Sequence, residues 1–206
     1  MKLFISTLTL SLLLSLSLDF TTSHAGGNDE PTATAHDFTL FDTYGAKHTL
    51  SDYRGKYVVL EWLNYDCPFV RKHYRSGNMQ RLQKACAEKG VAWLSIVSSA
   101  PGKQGYFAPE QMNERTQQEG GAQTAVLLDS DGAVGRLYGA RTTPHMFVID
   151  PAGIRIYEGA IDDRPSTNLA DIEGATNFVA QSLEQSMAGD PVSVTSRQPY
   201  GCSVKY

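Results

Sequence analysis

Cys67 stands where a cysteine is readily converted into a reactive thiolate. It follows the apolar run 57–63 and precedes a segment of helical periodicity that begins with Pro68. A helix N-terminus offers unpaired N–H groups and a partial positive charge, which stabilise a thiolate, and proline needs no N–H donor in the first turn. Arg71 lies one turn further along the same helical face and adds positive charge. The alternative is a small buried residue at a strand end, but the position favours a redox-active thiol.

Glu61 is the only carboxylate within the apolar run that leads to Cys67. A buried carboxylate without a partner is costly, and burial raises its pKa, so Glu61 is expected to hold or pass a proton near neutral pH. The alternative is an edge strand whose Glu61 side chain faces water.

Two further cysteines have different surroundings. Cys86 falls at helical spacing with Met79 and Leu82, which predicts that it packs in the core. Cys202 lies in a C-terminal segment that contains Pro and Gly and is able to move, so it is the predicted partner of Cys67. A labile bond between the two serves a redox reaction, whereas a permanent one is a structural disulfide.

Length and composition favour one folded domain with appendages. The chain has 206 residues, 41% of them hydrophobic, with 18 basic and 22 acidic residues and a net charge of −4. That balance argues against nucleic acid as a partner, because phosphate binding needs a basic surface. The histidines show no metal-ligand spacing with each other or with a cysteine, and we expect neither a metal nor another cofactor.

The N-terminus has the pattern of an export signal. A basic start, the apolar run 3–18 and the sequence Ser23-His24-Ala25 predict a signal peptide over residues 1–25. The alternative, a membrane anchor, needs a longer apolar run, and we expect no stable membrane insertion. Because no glycosylation sequence Asn-x-Ser/Thr occurs, the periplasm is the expected location. A polar flexible arm is predicted over residues 26–35.

Hydrophobic periodicity predicts an α/β domain over residues 36–190 and an extended tail over residues 191–206. A buried strand, a helical segment and a second buried strand form a crossover whose two strands are parallel. The predicted order is a hairpin (38–41 and 48–50), a strand (57–63), a helical segment (67–89), a strand (91–97), a helix (109–118), a strand (125–128), a short helix (133–138), a hairpin (146–149 and 154–157) and a final amphipathic helix from Ile172 to Met187.

Several motifs, in this order, resemble the thioredoxin-fold redoxins. The sequence Cys67-Pro68-Phe69-Val70 stands where thioredoxins carry Cys-x-x-Cys, Glu61 matches their buried acid, and Thr143-Pro144 looks like their cis-proline loop. The segment 37–56 is similar to the start of the alkyl hydroperoxide reductase/thiol-specific antioxidant branch. The tail 200–206 looks like the Gly-Cys-Ser ending of peroxiredoxin-like redoxins.

This resemblance implies a three-layer α/β/α sandwich with an N-terminal hairpin and an extended C-terminal tail. It also implies that Thr143 and Pro144 present backbone groups to an extended substrate beside Cys67, with Arg141 placed to attract an anionic group. Two positions depart from the related patterns. Val70 replaces the second cysteine of the thioredoxin motif, and Asn64 replaces the Thr or Ser that peroxiredoxins carry three residues before the reactive cysteine. Asn64 is still able to donate a hydrogen bond there.

Two classes of function remain open at this point. The first is an exported thiol-dependent oxidoreductase in which Cys67 attacks a hydroperoxide or a protein disulfide. The intermediate is then resolved by Cys202 or by an external thiol reductant. The second is a non-enzymatic binding module that uses the groove between Cys67 and Pro144 for a peptide or partner.

Overall fold

A central mixed sheet organises the chain in the computed structural model, which describes Met1 and residues 33–206. The strands follow the order β2-β1-β5-β4-β3-β7-β8-β9, and β10 pairs with β6 in a separate two-stranded ladder. The strands are β1 (Thr39–Asp42), β2 (Lys47–Thr49), β3 (Val58–Trp62), β4 (Ala92–Val97), β5 (Ala125–Leu128), β6 (Thr142–Thr143), β7 (His145–Ile149), β8 (Arg155–Gly159), β9 (Ser196–Arg197) and β10 (Cys202–Ser203). The helices are α1 (Pro68–Arg75), α2 (Asn78–Glu88), α3 (Pro109–Gln118), α4 (Ala133–Leu137) and α5 (Phe178–Ala188).

The predicted crossover forms the centre of the sheet. Strand β3 runs parallel to β4 and antiparallel to β7, and every residue of these three strands is buried. Strands covered on both faces read as continuous apolar runs, which is why the sequence shows no alternation there. The two predicted hairpins, β1–β2 and β7–β8, are also confirmed as antiparallel pairs.

Two apolar clusters cover the two faces of the sheet and make the three layers. One cluster includes Val70 of α1, Met79 of α2 and Val179 of α5. The other includes Val134 of α4 and Phe38 beside the N-terminal hairpin. Because alternate strand residues point to opposite faces, β3 contributes Val59 to the first cluster and Leu60 to the second.

Two predicted helices have different bounds in the structure. The predicted helical segment 67–89 is interrupted at Gly77, whose φ of +71° is a left-handed conformation that ends α1 and caps α2. The final helix begins at Phe178 rather than at Ile172, since residues Leu169–Ile172 form a 3-10 turn and Asn177 caps α5 by accepting the Ala180 N–H at 2.9 Å.

Residues 33–35 and the C-terminal tail are held more firmly than their sequences indicate. Residues 33–35, which the sequence places in the flexible arm, pair with the β7–β8 turn, where Ala35 N–H donates to the Gly153 carbonyl at 2.9 Å. The rest of the predicted arm and the predicted signal peptide lie outside the described residues. The predicted extended tail contributes two short strands, β9 on the edge of the main sheet and β10 on β6. Within residues 33–206, no helix has the length and apolar character needed to cross a bilayer.

Candidate active site

Cys67 is the N-cap residue of α1, immediately after the turn that leaves β3. Its backbone N–H donates to the Asn64 carbonyl at 3.0 Å, and its own carbonyl accepts the first helical bond from Arg71 at 2.9 Å. Pro68 occupies the first helical turn, as the sequence predicts. The side chain is fully buried, and its Sγ–H donates to the Thr143 carbonyl at 3.0 Å.

Thr143 precedes a cis-proline and pairs with the C-terminal tail. The Thr143–Pro144 peptide bond is cis, as the resemblance implies, and the register of β6 and β10 sets Cys202 opposite Thr143. Gly201 has a φ of +141°, and a Cβ at this position would collide with the Thr143 carbonyl oxygen. The glycine before Cys202 is therefore required for the tail to approach the cis-proline loop.

The pKa values of the Cys67 and Cys202 thiols are shifted in opposite directions. Burial alone would raise the pKa of Cys67, but hydrogen bonds from the Cys202 thiol, from the backbone N–H groups of Val70 and Cys202 and from the Thr143 side chain outweigh it, so the pKa of Cys67 is lowered. Burial and the nearby Cys67 sulfur raise the pKa of Cys202 to about 12. Cys67 is thus the more acidic thiol of the pair, and Cys202 keeps its proton as long as Cys67 is a thiolate.

The Thr143 hydroxyl is placed to donate a hydrogen bond to Cys67 once that thiol is ionised. It is buried and, among the described residues, has no hydrogen-bond partner while Cys67 is a neutral thiol that donates to the Thr143 carbonyl. Ionisation of Cys67 removes that donated bond, and the hydroxyl group is then able to donate to the sulfur. Thr143 therefore contacts Cys67 in both protonation states.

Glu61 is completely buried and is surrounded by hydrogen-bond donors without a cation. Its Oε2 accepts from Trp93 Nε1 and from Ser95 Oγ, both at 2.8 Å, and its Oε1 receives a longer bond from Tyr74 of α1 at 3.4 Å. Burial raises the pKa of Glu61 to about 7, against the opposing effect of these bonds. Among the described residues, none of its hydrogen bonds goes to Cys67, and its hydrogen-bond partner on α1 is Tyr74.

The remaining predicted binding residues occupy different positions. Asn64 uses its polar atoms within the loop, since Oδ1 accepts the Asp66 N–H at 2.9 Å and the amide donates to the Gln104 carbonyl at 3.4 Å. Asn64 thus shapes the turn that presents Cys67. Arg141 exposes its side chain, while its carbonyl accepts the Val204 N–H at 3.1 Å and so helps to hold the tail.

A buried polar cluster anchors the tail two residues before Cys202, and the sequence analysis did not predict it. The Tyr200 hydroxyl donates to Asp162, which also lies 3.5 Å from the Lys72 ammonium, and His73 Nε2 is 3.4 Å from the same hydroxyl. Burial and the Lys72 charge lower the pKa of His73 to about 4, so this imidazole is neutral. The one feature of the sequence that points to this cluster is the pair Lys72-His73 on the helix that follows Cys67.

The described residues contain three free cysteines and no cluster of three ligand side chains suited to a metal ion. Cys86 is buried in the first apolar cluster, as predicted, and burial raises the pKa of its thiol to about 11. Cys86 is therefore an unreactive core residue, and the structure brings Cys202, not Cys86, to Cys67.

Comparisons with known proteins agree with this geometry. A family model described as the AhpC/TSA family matches residues 31–157. The chain is 32% identical over 151 residues to the thiol-disulfide oxidoreductase ResA of Geobacillus thermodenitrificans, a match that covers 70% of this chain and 80% of that protein.

Solved structures show the fold. An uncharacterized conserved protein from Geobacillus kaustophilus superposes with a TM-score of 0.72 at 24% identity, covering 85% of this chain and 91% of that one. The thioredoxin domain of a thiol-disulfide oxidoreductase from Bacteroides vulgatus superposes with a TM-score of 0.50 at 20% identity, covering 69% and 94% of the two chains. The predicted thioredoxin-like architecture is confirmed.

The raised pKa of Glu61 makes stability depend on pH. Between its ordinary value of 4.5 and about 7, the unfolded chain releases a proton that the folded chain retains. Stability of the wild type therefore falls through this window, by on the order of 3 kcal/mol, and is level above it. Glu61→Gln keeps an acceptor for Trp93 and Ser95 and removes the titration. In urea unfolding, the free energy of unfolding of the variant should rise relative to that of the wild type between pH 4.5 and 8. A difference that does not change with pH would contradict a buried, titrating carboxylate.

The hydrogen bond between Tyr200 and Asp162 should limit how fast Cys67 is alkylated, because it holds the tail over that thiol. Tyr200→Phe removes the hydrogen bond to Asp162, and losing a bond to a charged group costs about 1.5–3 kcal/mol. Because alkylation samples the open tail, the labelling rate of Cys67 should rise by about tenfold or more, as followed by peptide mass spectrometry. Tyr44→Phe, at an exposed tyrosine, is the matched control and should leave the rate unchanged. Equal rates for both variants would show that the tail does not limit access.

Proposed function

The chain belongs to the AhpC/TSA family, and on this basis we propose that it is an exported thiol-disulfide oxidoreductase in which Cys67 attacks a disulfide and Cys202 resolves the intermediate. The observation that carries the proposal is the register of β10 on β6, which sets Cys202 opposite Thr143, the residue whose carbonyl accepts the Sγ–H of Cys67, a thiol of lowered pKa. The name of the ResA relative supports the same reaction class.

The reaction proceeds in two exchanges. The Cys67 thiolate attacks one sulfur of the substrate disulfide, whose S–S bond breaks, and the other substrate sulfur leaves and takes a proton. The Cys202 thiol then loses its proton and attacks Cys67 Sγ, so the mixed disulfide breaks and the second substrate thiol departs. The substrate gains two electrons and two protons, and the protein holds a Cys67–Cys202 disulfide that an external thiol reduces.

Loss of the negative charge on Cys67 after the first exchange lowers the pKa of Cys202 and so allows the second exchange. The high pKa of Cys202 comes from burial, from its hydrogen bond to Cys67 and from the negative charge on that sulfur. Once Cys67 is bonded to substrate, the bond and the charge are gone, and the pKa of Cys202 falls. Cys202 therefore becomes a nucleophile only after the first exchange, as a resolving thiol must.

The substrate and the tail compete for the same backbone edge. In the reduced protein β10 occupies β6, with Cys202 opposite Thr143. An extended segment of a protein disulfide would pair with β6 in its place, as in strand-addition recognition. The tail then returns to β6 to release the product. A hydroperoxide needs no such segment, which is why the geometry favours a disulfide substrate over a peroxide.

Export is part of the proposal. The signal-peptide pattern over residues 1–25 supports it, and an oxidising compartment supplies both disulfide substrates and a need for a reductant. Because Val70 replaces the second cysteine of a local dithiol, Cys202 takes that role, and an external thiol supplies the electrons that reduce the Cys67–Cys202 disulfide.

Rapid mixing of the reduced protein with three oxidants tests the reaction. A peptide disulfide should oxidise Cys67 faster than hydrogen peroxide or an organic hydroperoxide. Cys202→Ser should accumulate the mixed disulfide, because the resolving thiol is absent, and Cys67→Ser should show no exchange. Intrinsic fluorescence and mass spectrometry follow the two steps.

Cys86→Ser is the matched control for loss of a thiol, and it should retain both exchanges. Faster oxidation by peroxides with trapped sulfenate would replace the disulfide with a hydroperoxide as substrate. A Cys67–Cys202 bond with a reduction potential below about −300 mV would indicate a structural disulfide instead. If Cys67→Ser binds the peptide as tightly as the wild type and the wild type shows no turnover, the protein is a binding module.

A further inference from the structure

Four arginines from four parts of the chain line an open cavity of about 400 Å³ beside the cis-proline loop. Arg136 comes from α4, Arg141 precedes β6, Arg155 begins β8 and Arg197 lies on the tail strand β9. Glu158 is the only acidic residue in the lining, all of which lies in the described part of the chain. A protein of net charge −4 thus concentrates positive charge at this cavity.

The single carboxylate balances only one of these arginines. Arg155 lies 2.8 Å from Glu158, and its Nε is buried without a hydrogen-bond partner. Arg136 and Arg197 rest against the aromatic rings of Tyr206 and Phe178 and donate to backbone carbonyls. Within residues 33–206, neither of them has an acidic partner, and nor does Arg141.

His145 adds a neutral donor to the same lining. It is 5% exposed, and burial together with the charges of Arg141 and Arg155 lowers its pKa to about 3, so the ring carries no charge at neutral pH. Its Nδ1 accepts the backbone N–H of Arg141 at 3.3 Å, which leaves the ring proton on Nε2. The lining therefore offers guanidinium and imidazole donors and almost no competing carboxylate.

We propose that this arginine cavity binds a small ligand that carries a phosphate, a sulfate or one or more carboxylates. The planar guanidinium group donates two parallel hydrogen bonds to a pair of oxygens on such a group. An anion here would contact the core through Arg141 and Arg155 and the tail through Arg197. The backbone of Arg141 lies within about 7 Å of Thr143, the residue that contacts Cys67, because two residues of extended chain span no more than this.

Two sources supply this chemistry. One is a free inorganic oxyanion, and the other is the acidic end of a low-molecular-weight thiol that serves as the electron donor. The second source rests on the proposed function, whereas binding of the anion itself does not.

Calorimetric titration of the reduced protein with inorganic phosphate and with S-methylglutathione, a dicarboxylate that cannot exchange disulfides, tests the proposal. Saturable binding is expected for at least one probe. Arg141→Gln and Arg197→Gln should each weaken it by about tenfold, since each removes a charge-assisted hydrogen bond. Both arginines are exposed, so both variants should fold.

Arg81→Gln, which removes the same charge from an exposed arginine of α2, is the matched control and should change affinity by less than about twofold. If S-methylglutathione competes with phosphate, the ligand is a low-molecular-weight thiol. If only phosphate binds, the ligand is a free inorganic oxyanion. Both outcomes support the site. Absence of saturable binding, or equal weakening by Arg81→Gln, overturns it. None of these readouts uses turnover, so failure of the redox proposal remains distinguishable.

Discussion

The antiparallel pairing of β10 with β6 is the contact on which the rest of the site depends. It sets Cys202 opposite Thr143 and delivers the second thiol to Cys67. A ladder of two residue pairs is not stable alone. The tail is therefore anchored on both sides of this ladder, by Tyr200 on Asp162 before it and by the Tyr206 hydroxyl, which donates to the Ala140 carbonyl at 2.8 Å, after it.

The buried carboxylates of Asp162 and Glu61 have different partners: Asp162 faces a cation, whereas Glu61 faces neutral donors. Asp162 has the Lys72 ammonium at 3.5 Å and the Tyr200 hydroxyl, so its charge is matched where the tail docks. Glu61 has only neutral donors, and without a cation burial holds its pKa at about 7. Desolvation wins where no opposite charge offsets it. Glu61 therefore titrates near neutral pH, whereas Asp162 lies where the tail docks and contacts Lys72 and Tyr200.

The sequence predicted the elements whose signal is local. Continuous apolar runs identified the buried strands, and the strand-to-helix junction placed Cys67 at a helix N-terminus, as observed. The break at Gly77 was missed because helical periodicity continues across it. Docking of the tail was missed because strands of two residues have no periodicity and their partners lie far away in sequence. The contact of Asp162 with Tyr200 is of this kind, and only the folded chain brings the two together.

The same tail that carries Cys202 also covers Cys67. Cys67 has no exposed surface while β10 is docked, so reaction requires the tail to open. Each 1.4 kcal/mol of opening free energy lowers the open population, and hence the rate of attack, by about tenfold. A firmly held tail protects the thiolate from oxidants that need no docking, but it also slows exchange with a disulfide. Substrate that takes the place of β10 on β6 offsets part of this cost with its own backbone hydrogen bonds. A small oxidant makes no such bonds, so in the proposed reaction a docked tail disfavours a small peroxide relative to an extended disulfide.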